Sequence, residues 1–119
     1  MTVQRIKTLW IRPEYLEQIL AGTKTVEVRV GYDSIRRLRA GDMLRLNDRH
    51  PYRVVRAAQY VSFEAMLERE DAEAIAPGVS SAELLARCRQ IYPPEKEALG
   101  VIALELMPAA GEREEATCR

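Results

Sequence analysis

Residues 24–30 read Lys24-Thr-Val-Glu-Val-Arg-Val30, with a valine at every second position and Thr25, Glu27 and Arg29 between them. Successive strand residues face opposite sides, so this pattern predicts a half-buried strand with Val26, Val28 and Val30 toward a core. Just upstream, Tyr15, Leu16, Ile19 and Leu20 recur at helical spacing between Pro13 and Gly22. Proline suits the first helical turn and glycine the stop, which predicts a short helix over residues 13–21. Arg5-Ile-Lys-Thr-Leu-Trp-Ile11 is rich in β-branched and aromatic residues and predicts a first strand ahead of it.

Downstream, residues 31–40 form a basic connection with one helical turn, closed by the turn pair Gly41-Asp42. Residues 43–46 and 52–61 predict two strands around the polar turn 47–51, the second long enough to curve. Ser62 is placed to cap a helix over 63–68, and Ser80 or Ser81 a later one that carries Leu84, Leu85 and Cys88 on one side and ends before Pro93-Pro94. Residues 99–106 close the series as a strand with few polar positions. This order predicts an α+β fold: a small, partly open mixed β-barrel flanked by short helices. Residues 1–107 are expected to form one domain and 108–119 a charged, disordered tail. One core should hold Trp10, Leu16, Ile19, Val26, Val28, Leu44, Val54, Leu85, Val101 and Leu104.

Composition narrows the chemistry. The 119 residues suffice for one core. Eighteen basic residues cancel eighteen acidic ones, so net charge gives no support for non-specific adhesion to nucleic acid or membrane. Charges interrupt every apolar stretch before bilayer length, and residues 1–5 do not begin a signal peptide, so a cytoplasmic protein without a membrane partner is expected. Cys88 and Cys118 have no Cys-x-x-Cys spacing and His50 is the sole histidine, which argues against disulfide frameworks, His-based triads and metal sites. No cofactor is expected; catalysis, if present, falls to Lys, Glu, Thr or Tyr.

Charge is polarised along the chain. Arg29, Arg36, Arg37, Arg39, Arg45, Arg49, Arg53 and Arg56 face only three acids between residues 29 and 56, whereas residues 64–83 hold six acids and one arginine. An arginine-rich stripe interleaved with Tyr32, Tyr52 and Tyr60 could hold phosphates and stack bases. Arginine alternating on exposed strands also simply keeps a sheet soluble. Trp10 and Tyr92 carry the same two readings, base stacking or core.

Four motifs in order resemble the ASCH family: Gly22-Thr-Lys-Thr-Val-Glu-Val-Arg29, Gly41-Asp42, Tyr60-Val-Ser-Phe-Glu-Ala-Met-Leu67 and Ile91-Tyr-Pro-Pro-Glu-Lys-Glu-Ala-Leu-Gly-Val-Ile-Ala-Leu104. The resemblance spans roughly residues 5–106 and implies a PUA-like barrel whose cleft, lined by the first motif, faces RNA or a modified nucleoside. Some members resemble amidohydrolases that deacetylate N4-acetylcytidine, and others are linked to RNA binding or ribonuclease activity. The amidohydrolase set is a Lys and a Thr from that strand and a Glu near the start of the late helix. Lys24 matches the lysine, Glu27 stands at the threonine's position, and the helix glutamate falls near Pro77, where the nearest acid is Glu73.

The expected site therefore centres on Lys24, Glu27 and Arg29. Lys24, Glu27 and Glu73 are the catalytic candidates; Gly22, Thr25, Arg29, Arg36, Arg37, Arg39, Arg53 and Tyr92 are the ligand-binding ones. Desolvation and Arg29 would lower the Lys24 pKa while Glu27 raises it. The competing reading is a surface ion pair worth ~0 to 1 kcal/mol. At the start of a strand, the charged Lys24 of the expected site should itself add little to packing, so that Lys24→Ala leaves the fold intact. A protein-interaction module using the acidic helices is the third reading, favoured if side chains fill the cleft.

Overall fold

The computed structural model describes residues 6–109. Its strands are β1 (Ile6–Leu9), β2 (Val26–Val30), β3 (Met43–Leu46), β4 (His50–Tyr60) and β5 (Val101–Pro108). Its helices are α1 (Pro13–Ala21), α2 (Asp33–Arg36), α3 (Phe63–Arg69), α4 (Ala72–Ile75), α5 (Ser81–Ile91) and α6 (Pro94–Glu97). The strands form one curled sheet, a half-barrel, in the order β1-β3-β4-β5-β2; β1 and β3 are parallel and the other pairs antiparallel.

Local chemistry explains most boundaries. Pro13 opens α1, and Gly22 closes it at φ 85°, a left-handed conformation that costs a glycine nothing. Ser62 Oγ accepts from Ala65 N–H at 3.0 Å and Ser80 Oγ from Glu83 N–H at 3.1 Å, so the two serines cap α3 and α5. Asn47 and Asp48 adopt φ 52° and 62° in the β3–β4 turn, which asparagine and aspartate tolerate better than other non-glycine residues. A bulge between Val54 and Arg56 curves β4 and turns Val55 outward. At Gly31 a Cβ would lie 2.5 Å from Leu99 O, so only glycine lets the chain leave β2 this close to the β5 approach.

Two cores flank the sheet, in place of the single one expected. Ile102, Leu104 and Leu106 of β5 pack with Leu9, Ile11, Ile19, Ile35 and Leu44 inside the barrel. Val101 and Ala103 alternate to the other face and meet Val26, Val30, Phe63, Met66, Ile75 and Leu84 beneath α3, α4 and α5. Burying a side chain such as Phe63 or Met66 contributes about 1.5–3 kcal/mol. Of the expected core, Leu16, Val28 and Leu85 are half-buried against these clusters. Trp10 is a correction: it is 68% exposed, because Leu9 and Ile11 on either side of it turn into the barrel core and the extended chain points the residue between them outward. Tyr52 is the opposite correction, buried in the barrel and unable to stack a base.

β5 continues through Pro108, and Ala109 is buried with its N–H donating to Pro51 O. The rest of the expected tail, 110–119, lies outside the described residues. Among the described residues no helix is long and apolar enough to cross a membrane.

Candidate functional site

β2 is an edge strand, hydrogen-bonded only to β5. Against its free side sits a cleft of about 290 Å³, walled by the segment that joins β1 to α1, by β2 itself and by α5. Glu27, Val28 and Arg29 all line it. Three consecutive strand residues can share one cavity only where the cavity meets the strand edge-on, since their side chains alternate between faces.

Lys24 lies just before β2 and is 4% exposed. Its Nζ donates to Val26 O and Ile75 O, both at 2.7 Å, and contacts Glu27 Oε1 at 3.2 Å. Ile75 ends α4, where helix carbonyls lack intrahelical donors, so the ammonium satisfies a helix end and ties it to β2. The expectation that Lys24 contributes little to packing is therefore corrected. An ammonium has three N–H groups, and here all three are engaged. Burial lowers the Lys24 pKa, opposed by Glu27, with Arg29 adding to the lowering.

Glu27 divides its carboxylate between two cations. Oε1 faces Lys24, and Oε2 accepts from Arg29 Nε at 2.7 Å. Arg29 Nη2 in turn donates to Trp10 O at 2.8 Å, bridging from β2 to the segment after β1. That segment is held on its other side by Asn47: Ile11 N–H donates to Oδ1 at 2.7 Å, and Nδ2 donates to Ile11 O at 2.9 Å. Trp10 is thus fixed at its backbone while its indole stands exposed at the cleft.

The α5 wall supplies Arg87, Cys88, Ile91 and Tyr92. Burial pushes the Cys88 thiol up to about 11 and raises Tyr92 as well, so neither is an ionised nucleophile near neutrality. The lining side chains include four cations, Arg12, Lys24, Arg29 and Arg87, against the single carboxylate of Glu27. The cleft is open, not filled by side chains, and its composition suits an electron-rich planar ligand more than a cation. Among the described residues no cluster of three or more His, Cys, Asp or Glu could hold a metal ion.

Of the site residues expected from sequence, the structure brings together Lys24, Glu27, Arg29 and Tyr92. Gly22 and Thr25 do not line the cleft: Gly22 ends α1, and the Thr25 backbone bonds Ala74 O and Leu106 N–H. Glu73 is exposed on α4, its carboxylate accepting from Gly78 N–H at 3.1 Å, and is not part of the lining. Arg36 and Arg39 line a shallow groove along β4, Arg37 a hollow beside Ile6 and Lys7, and Arg53 approaches Gly41 O. Arg56 is engaged by Glu70 and Glu105. Arg36, Arg39 and Arg56 thus share one groove, while Arg29 and Arg37 line separate hollows. Sequence reading missed Arg12, Tyr15 and Arg87; the i, i+3 and i, i+4 spacing of Leu84, Arg87, Cys88 and Ile91 on one helix was the available signal.

A half-barrel with short helices and this edge cleft belongs to a known class. A family model for the ASCH domain matches residues 9–109, and the chain belongs to that family. It is similar to the crystal structure of the hypothetical protein PH0355, with 34% identity and a TM-score of 0.82 over 87% of this chain and 99% of that one. It is also similar to the solution structure of protein PF0455 from Pyrococcus furiosus, with 32% identity and a TM-score of 0.73 over 88% and 98% of the two chains. No curated protein matches the chain.

Proposed function

We propose that this ASCH domain binds RNA or a modified nucleoside in the cleft around Lys24, Glu27 and Arg29. The observation that carries the reading is the pairing of an exposed Trp10 with a cation-rich cavity at the β2 edge. An exposed indole gives a base a stacking surface, and the surrounding cations favour its carbonyl oxygens and phosphate. At about 290 Å³ the cavity is at the small end of ligand sites, suited to one nucleoside and not to an oligonucleotide. Trp10 is the only tryptophan in the chain, so its fluorescence reports on the cleft directly. Titration with nucleosides and short single-stranded RNA should quench it saturably, and Trp10→Ala should weaken binding measured by calorimetry. Absence of binding to every nucleoside and oligomer would end this reading.

The Lys24–Glu27 contact on the cleft wall favours a second reading, hydrolysis of an N4-acylated cytidine-like nucleoside without a metal. Glu27 would take a proton from water as its oxygen adds to the acyl carbon, and return it to the departing amine, giving the carboxylic acid and cytidine. Lys24, with its donors engaged, would act as a fixed positive charge near the oxyanion. Release of acetate from N4-acetylcytidine, lost in Glu27→Gln, tests this; incubation with RNA tests ribonuclease activity in parallel.

A further inference from the structure

The β2 edge carries a feature that the charged side chains do not explain. In an antiparallel pair only alternate residues bond the neighbouring strand through their own N–H and C=O. Leu106 N–H bonds Thr25 O at 2.9 Å, and Gly31 N–H bonds Gly100 O at 2.9 Å. Odd-numbered residues of β2 therefore face β5, and Val26, Val28 and Val30 aim their backbone groups at the free edge. Two of the three carbonyls on that edge are occupied: Val26 O by Lys24 Nζ and Val30 O by Tyr32 N–H at 2.9 Å. Val28 keeps both its N–H and its C=O without a partner among the described residues, beside a cavity that Val28 itself lines. Half-buried polar groups left in this state call for a ligand or water.

We infer that the Val28 N–H and C=O bond the Watson–Crick edge of a base stacked near Trp10, so that the site accepts only unpaired bases. The inference rests on the nucleoside reading above and adds how the base is held. A donor and an acceptor side by side match the adjacent acceptor and donor of a pyrimidine, N3 with O4 in uridine or N3 with N4 in cytidine. An extended peptide adding to the edge would need a run of free groups; with the flanking carbonyls occupied, a single residue's pair serves one heterocycle. A base already paired in a duplex has this edge engaged and is excluded.

Calorimetry and amide NMR with uridine, cytidine and their N3-methyl derivatives test the inference. The Val28 amide resonance should move on adding uridine or cytidine, and the N3-methyl forms should bind at least about tenfold more weakly, the equivalent of one or more lost hydrogen bonds. A single-stranded oligomer should compete, and the same strand in a duplex should not. Val28→Pro removes the outward N–H together with part of the valine's packing, at an edge position where proline is tolerated, and should weaken binding similarly with a modestly lowered melting temperature. If that variant unfolds, the methylated ligands decide the matter on the native protein. Equal binding of parent and N3-methyl nucleosides, or a quenched Trp10 with an unmoved Val28 amide, overturns this inference and leaves the nucleoside reading standing. Failure of every nucleoside to bind overturns both.

Discussion

Arg29 donates from Nη2 to the main-chain oxygen of Trp10 at 2.8 Å, joining the edge strand of the sheet to the segment after β1 across the cleft mouth. Arg29→Lys removes the fork that lets one side chain hold Glu27 and Trp10 O together. A hydrogen bond of this kind contributes about 0.5–1.5 kcal/mol, so the melting temperature should fall slightly. Indole fluorescence anisotropy should fall too, as the Trp10 segment loosens, and nucleoside affinity with it.

Lys24→Ala should be strongly destabilising, contrary to what a charged residue at a strand start suggests. It strips Ile75 O and Val26 O of their donor and leaves Glu27 with one cation. Removing one member of a buried ion pair costs about 3–5 kcal/mol, and Glu27, 12% exposed, places this one near the lower end. Urea unfolding measures the loss. Binding assays on the variant are interpretable only below its unfolding transition, and Lys24→Arg, which keeps the charge, should recover part of the stability.

Acid should weaken the link between β4 and the end of α3. The Arg56 guanidinium, bonded to both oxygens of Glu70, holds that carboxyl below the usual carboxylate range, against the opposing effect of burial; the Tyr60 hydroxyl helps. A lowered pKa means stability that is complete above the unfolded carboxylate's value and lost as pH falls through the folded one. Unfolding free energy should therefore drop below about pH 4.3. In Glu70→Gln the drop should be shallower, from a starting stability about 1–3 kcal/mol lower.

Cys88 should react slowly with thiol reagents at pH 8 in a Cys118→Ser background, and faster as pH approaches 11. Its raised pKa stabilises the fold below the unfolded thiol's value, and this contribution is lost as pH rises to about 11. Since Cys88 lines the cleft, a bound nucleoside should slow the reaction further.

Arg36, Arg37, Arg39 and Arg53 separate nucleoside from polymer. None lines the β2 cleft, so their replacement by alanine should leave nucleoside affinity unchanged. If longer RNA also runs over the barrel, each loss should reduce the salt dependence of its binding by about one unit or less. Filter binding across a salt series reads this.

Local signals were legible in the sequence. Pro13 and Gly22 bounded α1, Ser62 and Ser80 capped their helices, and the alternating valines located β2. The four-residue helices α4 and α6 are too short to show periodicity, and α4 supplies the carbonyl that buries Lys24. The clustering of Lys24, Glu27 and Arg29 was legible through spacing within one strand. Its far wall comes from α5, about sixty residues away, and no local pattern specifies which helix face meets which strand edge. Glu73 was near in sequence to the expected position but is on the outside of α4, because a four-residue helix presents few residues inward.

Of the described strands, the one shared by both cores is the last to be made. Until residues 101–108 leave the ribosome, β2 has no partner in the sheet and β4 is paired on one side only. Neither apolar layer can close before then, because each takes alternate side chains from that one segment. Folding of this domain is accordingly an event at the end of its synthesis, with the earlier hairpin and helices waiting on distant pairings. A chain truncated before residue 101 should remain protease-sensitive throughout, and one that runs past 109 should become resistant in a single step once it is released from the ribosome.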